Sequence, residues 1–459
     1  MPVNIEFLIL REPKERVLMK KKLLSVVLCV AMLTSVMTGC GKNNTANTPE
    51  NTAGQETTGT DDANAGAGDE EATISMFISQ PEYADAINAL IEEYKTVKPN
   101  VTINYETTQN DYPTLLKAKL NSGDTPDIFS STSGKEIDVY KEYSLDLSDQ
   151  PLMDAMLPAV QDAMKDGEGN GMYGLAIKGN FFGLIYNKAV FEQAGIAEFP
   201  DTITELKDAC EKLKAAGVTP FTSGFAEWWV YKHVWQHFLG AATDDVPGLI
   251  KKFESGEAKI KDYPELYDNF FQFVDLVKEY GDAKPLETDL SAEIANFASG
   301  KAAMVVGQGA WIEGDVKKID PNIQIGFVGY PVSEDAAKAQ VITGADQALR
   351  INKDSKNKQA VLDFINWWYT SDYGKSWFTD VAGVVPPITV EKESTFEIIK
   401  QGTASVEAKG SAPLGVIYST DSFHTAFGEA MQAYVGGAAD KDATCATIEQ
   451  KWQEIDGAK

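Results

Sequence analysis

The chain has 459 residues and a formal net charge of −27 at neutral pH. That length accommodates two domains, each with a sizeable core. A charge this negative argues against nucleic acid or an anionic membrane surface as partner and suits a soluble protein.

The N-terminus reads as an address. Lys20, Lys21 and Lys22 precede an apolar run over 23–36, the length of a signal peptide and too short for a membrane span. The run ends Val36-Met37-Thr38-Gly39-Cys40. Small residues before a cysteine resemble a bacterial lipobox, in which Cys40 is lipidated and becomes the mature N-terminus, although Met37 stands where leucine is usual. The alternative is a plain secretory signal. Residues 1–18 lie upstream of a better start, Met19, so the signal is assigned to 1–39 with 1–18 as a possible extension. Residues 40–71 are Asn, Thr, Gly, Ala and acids without large apolar side chains, a flexible tether. About 30 such residues reach roughly 30 Å.

The folded part opens with a strand over 72–79. A helix over 83–95 follows, with Ile87, Leu90, Ile91 and Tyr94 on one face. Next come a strand over 101–107, a helix over 112–120 and a strand over 127–129. This β-α-β-α-β rhythm predicts a parallel, doubly wound α/β sheet. Ligands on such sheets sit at the carboxyl ends of strands, which puts 79–83 and 130–133 at a pocket mouth. An apolar run from Phe181 to Tyr186 follows Gly179. Thr202 and Glu205 form a capping box for a helix carrying Leu206, Ala209 and Leu213. An aromatic helix covers 227–238, and further helices lie near 247–256, 264–280, 290–299, 357–370, 374–381, 424–435 and 441–455. Strands fall at 302–306, 323–328 and 348–351. Cys210 and Cys445 sit on helical segments and read as buried free thiols rather than a bridge.

The catalytic inventory is thin. His233 and His237 have metal-ligand spacing, but the glutamate of a His-Glu-x-x-His site is missing, so both read as structural or exposed and no metal is assigned. No nucleophile elbow, dinucleotide loop or phosphate loop occurs, and no cofactor is expected. The many carboxylates leave one enzymatic alternative, a secreted glycosidase-like enzyme with an unlocated acid pair. Binding chemistry is richer. All eight tryptophans lie between Trp228 and Trp452. A sugar presents flat C–H faces and a rim of hydroxyls, and so calls for an aromatic platform with planar donors and acceptors. Arg350 is the one arginine after residue 39. Carboxylate and phosphate ligands are usually clamped by arginine forks, so this scarcity argues for an uncharged ligand, without excluding anions held by lysine.

Five phrases occur in order: Thr125-Pro126-Asp127-Ile128-Phe129; Tyr186-Asn187-Lys188 running on to Pro220; Phe297 to Met304 with Trp311; Ser355 to Ala360 before Phe364; and Val385-Pro386-Pro387. Together they resemble the extracellular sugar-binding proteins of bacterial ABC importers, the group that includes maltose-binding protein. The resemblance implies a two-lobed periplasmic-binding-protein-like fold, each lobe a mostly parallel sheet flanked by helices, with hinge crossings. It implies one lobe of 72–179 plus 303–343 and another of 182–300 plus 346–459. The function implied is binding a neutral mono- or oligosaccharide in the inter-lobe cleft and delivering it to the permease, as a monomer and not an enzyme. It places Trp228, Trp229, Trp311, Asp421, Phe423 and His424 in ligand-facing loops. Asp346 and Asn180 fall at the two crossings, and Glu82 and Ser131 at strand ends. Core packing is the alternative for each aromatic, and turn capping for Asp346. Trp367, Trp368, Trp377 and Trp452 are assigned to core.

Overall fold

The first three strands are β1 (Ala72–Ile78), β2 (Val101–Thr107) and β3 (Ile128–Thr132). Helices Ala84–Val97 and Tyr112–Ser122 connect them, and the strands lie parallel in the order β2-β1-β3, as the rhythm predicts. The first helix buries Ile87, Leu90 and Tyr94 against the sheet. This computed structural model describes residues 71–457. The expectations for the signal, Cys40 and the tether through residue 70 lie outside the described residues.

The apolar run that reads as one strand is two. β4 (Leu175–Phe182) belongs to the first sheet, and β5 (Leu184–Asn187) belongs to a second. Only Gly183 separates them. A Cβ there would lie 2.4 Å from the Val328 carbonyl oxygen and 2.7 Å from the Phe327 ring, so no larger residue fits the crossing. The remaining strands are β6 (Thr219–Thr222), β7 (Ala302–Val305), β8 (Ile325–Val328) and β9 (Ile342–Ile351). The first sheet runs β2-β1-β3-β9-β4 and the second β6-β7-β5-β8. β9 is antiparallel to β3 and β4, and β5 is antiparallel to β7 and β8. Both sheets are therefore mixed. Parallel pairing holds among β1–β3 and between β6 and β7, and the strands next to the crossings run against it.

The pairing also revises the lobe boundaries. β7 and β8, expected in the first lobe as part of 303–343, hydrogen-bond to β5 and β6 of the second sheet. β9, expected from residue 346 in the second lobe, fills the middle of the first sheet. The helix Lys358–Thr370 goes with it: Tyr369 donates to the Ala176 carbonyl at 2.7 Å, and Phe364 packs on Tyr94. Trp377 likewise donates to the Ala86 carbonyl at 2.7 Å. The chain then crosses back, because helix Glu397–Lys409 lies on the second lobe, where Gln401 bonds both Phe327 and Ile325.

Local signals held where chemistry was specific. Thr202 and Glu205 cap each other's backbone at 3.2 Å each. Cys210 and Cys445 are buried and unbridged. Trp368, Trp377 and Trp452 are fully buried, whereas Trp367, also assigned to core, is half-buried. Arg350 is buried beneath β3, donating to Ser144 Oγ, Ser131 Oγ and the Ile137 carbonyl at 2.9–3.2 Å. It is a structural clamp within the first lobe.

Candidate functional site

In the order β2-β1-β3 the connections from β1 and β3 leave to opposite sides, which opens a crevice at the strands' carboxyl ends. A cavity lies there, facing the second lobe. From the first lobe come Gln80 and Glu82 after β1, Thr132 at the end of β3, Lys178 and Asn180 on β4, and Asp346 and Gln347 on β9. From the second come Trp228, Trp229, Lys232 and His233 on the first turns of helix Trp228–Ala242, then Trp311, and Asp421 at the start of helix Asp421–Val435.

Charge in the cavity is balanced in pairs. Lys178 Nζ lies 3.8 Å from Asp346 Oδ1 and 5.1 Å from the Trp311 ring centre. Lys232 Nζ lies 3.7 Å from Asp421 Oδ1 and 5.4 Å from the Trp228 ring centre. Each buried ammonium thus sits between a carboxylate and an indole face, both of which stabilise it. Burial pushes the Glu82 carboxyl up to about 7, with Lys178 opposing. Glu82 as a whole is half-buried, yet its Oε2 is shut off from solvent. Burial holds the His233 imidazole well below its ordinary range, so the ring is neutral. Its Nδ1 lies 3.0 Å from the Gly307 carbonyl, so the proton sits there and Nε2 is an acceptor.

Several polar atoms in this wall have no hydrogen-bond partner among the described residues. They are Gln80 Oε1, Glu82 Oε2, Asn180 Nδ2, the Nε1 of Trp228 and Trp229, and Asp346 Oδ1. Buried polar atoms are nearly always paired, so such a cluster marks a surface built to bond something else. Trp311 differs. Its Nε1 donates to Gln308 Oε1 at 3.0 Å, Gln308 donates to Glu293, and Phe182 and His233 pack edgewise on the ring. That indole is locked in place.

Short bonds tie the lobes together on one side of the cavity. Asn110 donates to Glu227 at 2.6 Å, Thr132 to Asp421 at 2.7 Å and Lys117 to Ser422 at 2.6 Å. The Asp421 backbone N–H donates to Glu136 at 2.8 Å. Burial, and then the Asp421 charge, push the Glu136 carboxyl up.

Of the residues singled out from sequence, Glu82, Asn180, Trp228, Trp229, Trp311, Asp346 and Asp421 line this one cavity. Three do not. Ser131 points into the first lobe, where its hydroxyl accepts from Arg350. Phe423 stacks on Trp452 at 4.4 Å and 15°, inside the second lobe. His424 Nε2 lies 2.9 Å from the Val416 carbonyl. The cause is the helix start. Thr420 caps it by accepting from the Phe423 N–H at 3.2 Å, so Asp421 sits at the tip facing the first lobe and the next residues turn inward. Lys178, Lys232, Gln347 and His233 also line the cavity and were not placed there from sequence. Strand alternation from Asn180 points to Lys178, and helical spacing from Trp228 points to Lys232.

Two lobes joined by crossing strands around an aromatic, polar cleft define a solute-binding protein. The family described as bacterial extracellular solute-binding proteins matches residues 79–375, and the chain belongs to it. Among its relatives, the multiple sugar-binding protein of Streptococcus mutans is 22% identical, over 70% of this chain and 76% of that one. The melibiose/raffinose/stachyose-binding protein MelE of Bacillus subtilis is 24% identical, over 64% and 68%. Among solved structures, a sugar transporter of Bacillus licheniformis in complex with stachyose superposes with a TM-score of 0.70 at 19% identity, covering 83% of this chain and 99% of that one. A chitin oligosaccharide binding protein superposes with 0.72 at 20% identity, covering 84% and 99%.

Proposed function

We propose that this extracellular protein binds a neutral mono- or oligosaccharide in the inter-lobe cavity and delivers it to the permease of an ABC importer. The observation that carries this is the set of unpaired indole N–H, amide and carboxylate groups beside aromatic faces, in a cavity whose lysines are each matched by an aspartate. Sugar hydroxyls satisfy both donors and acceptors, and sugar C–H faces suit indole. A charged ligand would upset the pairing, and Arg350 is buried out of reach. Relatives named as sugar-binding proteins support the same choice of ligand and support binding without catalysis. In this proposal Trp228, Trp229, Trp311, Asn180, Asp346, Glu82 and Asp421 contact the sugar. The protein acts as a monomer, held to the outer face of the membrane by lipid on Cys40.

Isothermal titration with a panel of neutral oligosaccharides, at low and high salt, tests the proposal. Binding of a neutral sugar with little salt dependence is expected, because no long-range Coulomb attraction exists to be screened. Binding confined to anions, or weakening steeply with salt, would refute it.

A further inference from the structure

The aromatic walls of the cavity come from separate stretches of the second lobe. Trp228 and Trp229 open helix Trp228–Ala242, and Trp311 follows the loop after β7. One carboxyl lies behind both. Glu293, on helix Leu290–Ala298, is fully buried. Its Oε2 accepts from Gln308 Nε2 at 2.7 Å, and Gln308 Oε1 accepts from Trp311 Nε1 at 3.0 Å. An indole N–H can only donate, so the amide oxygen must face Trp311 and the amide nitrogen must face Glu293. The chain of bonds has a single sense, and Gln308, also buried, has no other orientation to take.

The same carboxyl backs the other wall. A Cβ on Gly224 would lie 2.5 Å from Glu293 Oε2, so the turn that leads into Trp228 is closed directly against it. The Glu227 N–H donates to the Gly224 carbonyl at 2.9 Å and ties that turn to the helix start. The His233 ring then lies between Trp229 and Trp311, with centres 5.4 and 5.5 Å away.

Packing alone does not call for a carboxyl at this place. Burial pushes Glu293 well above its ordinary range, and its Oε1 has no partner among the described residues. An apolar side chain of similar size would fill the same space at lower cost. It would not orient Gln308, and Trp311 would lose its anchor.

We infer that Glu293 is a positioning residue for the binding site: through Gln308 it fixes the Trp311 indole, and through Gly224 it seats the turn that carries Trp228 and Trp229. Holding these rings in place before the ligand arrives spares the cost of ordering them on binding. This rests on the sugar-binding function proposed above and adds residues that touch no ligand.

The test compares wild type with Glu293→Met, Glu293→Gln, Gln308→Met and the double variant Glu293→Met/Gln308→Met. Each is melted, then titrated with maltotriose, chitotriose, xylotriose, raffinose and stachyose. Proton–nitrogen spectra of indole-labelled, ligand-free protein follow the Trp311 Nε1–H, assigned by its loss in Trp311→Phe. In the Met variants that resonance should move and exchange faster with solvent, and Kd should rise roughly three- to tenfold, the cost of ordering a freed side chain. Glu293→Gln keeps an acceptor for Gln308 and should restore both readings. The double variant strands no amide, so it should melt no lower than Glu293→Met yet bind as weakly. That split separates positioning from upkeep of the fold. An unmoved Trp311 resonance or an unchanged Kd in whichever Met variant folds overturns the inference while leaving sugar binding intact. So does failure of Glu293→Gln to restore them, or failure of every Met variant to fold, which would make Glu293 and Gln308 supports of the fold itself. Failure of wild type to bind any of these sugars overturns the proposed function, and this inference with it.

Discussion

Asp346→Ala tests the cavity's electrostatics and its ligand chemistry together. Asp346 is 5% exposed, and its Oδ1 faces Lys178 at 3.8 Å without a hydrogen bond. Removing one partner of a buried pair costs about 3–5 kcal/mol, because the other charge is stranded. Here the separation is long, and Glu82 lies close enough for Lys178 to pull its carboxyl down. Burial is the main cause that holds the Glu82 carboxyl up, and loss of the Asp346 charge removes a smaller one, which shifts Glu82 towards the ionised form that can face Lys178. The lower end is therefore expected, about 3 kcal/mol of stability, or a fall of roughly 6 °C in Tm. Binding should lose a further 1.5–3 kcal/mol or about ten- to hundredfold in Kd, the scale of a hydrogen bond to a charged group. Differential scanning calorimetry without ligand gives the first quantity, and isothermal titration on the folded variant gives the second. An unchanged Kd would remove Asp346 from the ligand's partners. An unchanged Tm would show that the pair with Lys178 contributes nothing.

Trp228→Ala or Trp229→Ala should weaken sugar binding by about 1–3 kcal/mol in titration, whereas Phe423→Ala, stacked on Trp452, should lower stability by about 3–5 kcal/mol and leave the Kd of the folded protein alone. Equal effects of all three on Kd would contradict the placement. Glu82 binds its proton more tightly folded (about 7) than unfolded (4.5), so at this site stability falls as pH rises through that window. Glu82→Gln should abolish that slope and melt higher than wild type above about pH 7, by up to about 3 kcal/mol; parallel Tm–pH curves would refute the assignment. Cys40→Ser should release the protein to the medium or leave it unprocessed, as read by membrane fractionation, and mature variant protein still in the membrane fraction would disprove lipid anchoring.

The parallel start of the fold was legible because β1–β3 and their helices obey simple periodicities. The crossing at Gly183 was not. Phe181 to Tyr186 is apolar on both sides of the glycine, and such a run reads as one buried strand whichever sheets hold it. The lobe assignment of 303–343 failed for a related reason, because no linker composition marks where the chain changes lobes. Asp346 and Asn180 were singled out through their expected place at the crossings, and both line the cavity. Phe423 and His424 were misplaced because an aromatic side chain suits a cleft and a core equally, and a shift of two residues along a helix turns it from one to the other. Lys178 and Lys232 were overlooked because lysine is usually a solvated surface residue, and only the pairing with Asp346 and Asp421 shows otherwise.

The position of β9 governs how the molecule can be assembled in time. This strand is the bridge between β3 and β4, yet it is the last to be synthesised of the nine strands among the described residues. Until residue 351 has emerged, the first sheet exists as two fragments with exposed edges, while the strands of the second sheet are all available by residue 328. Pairing over separations of more than 200 residues, such as Ser131 with Ala348, closes late because of the loop entropy it must overcome. The second sheet is thus the first to have all its strands, but the second lobe's helices Glu397–Lys409 and Asp421–Val435, and Trp452 on which Phe423 stacks, follow β9, so the first sheet can close before the second lobe's core is complete.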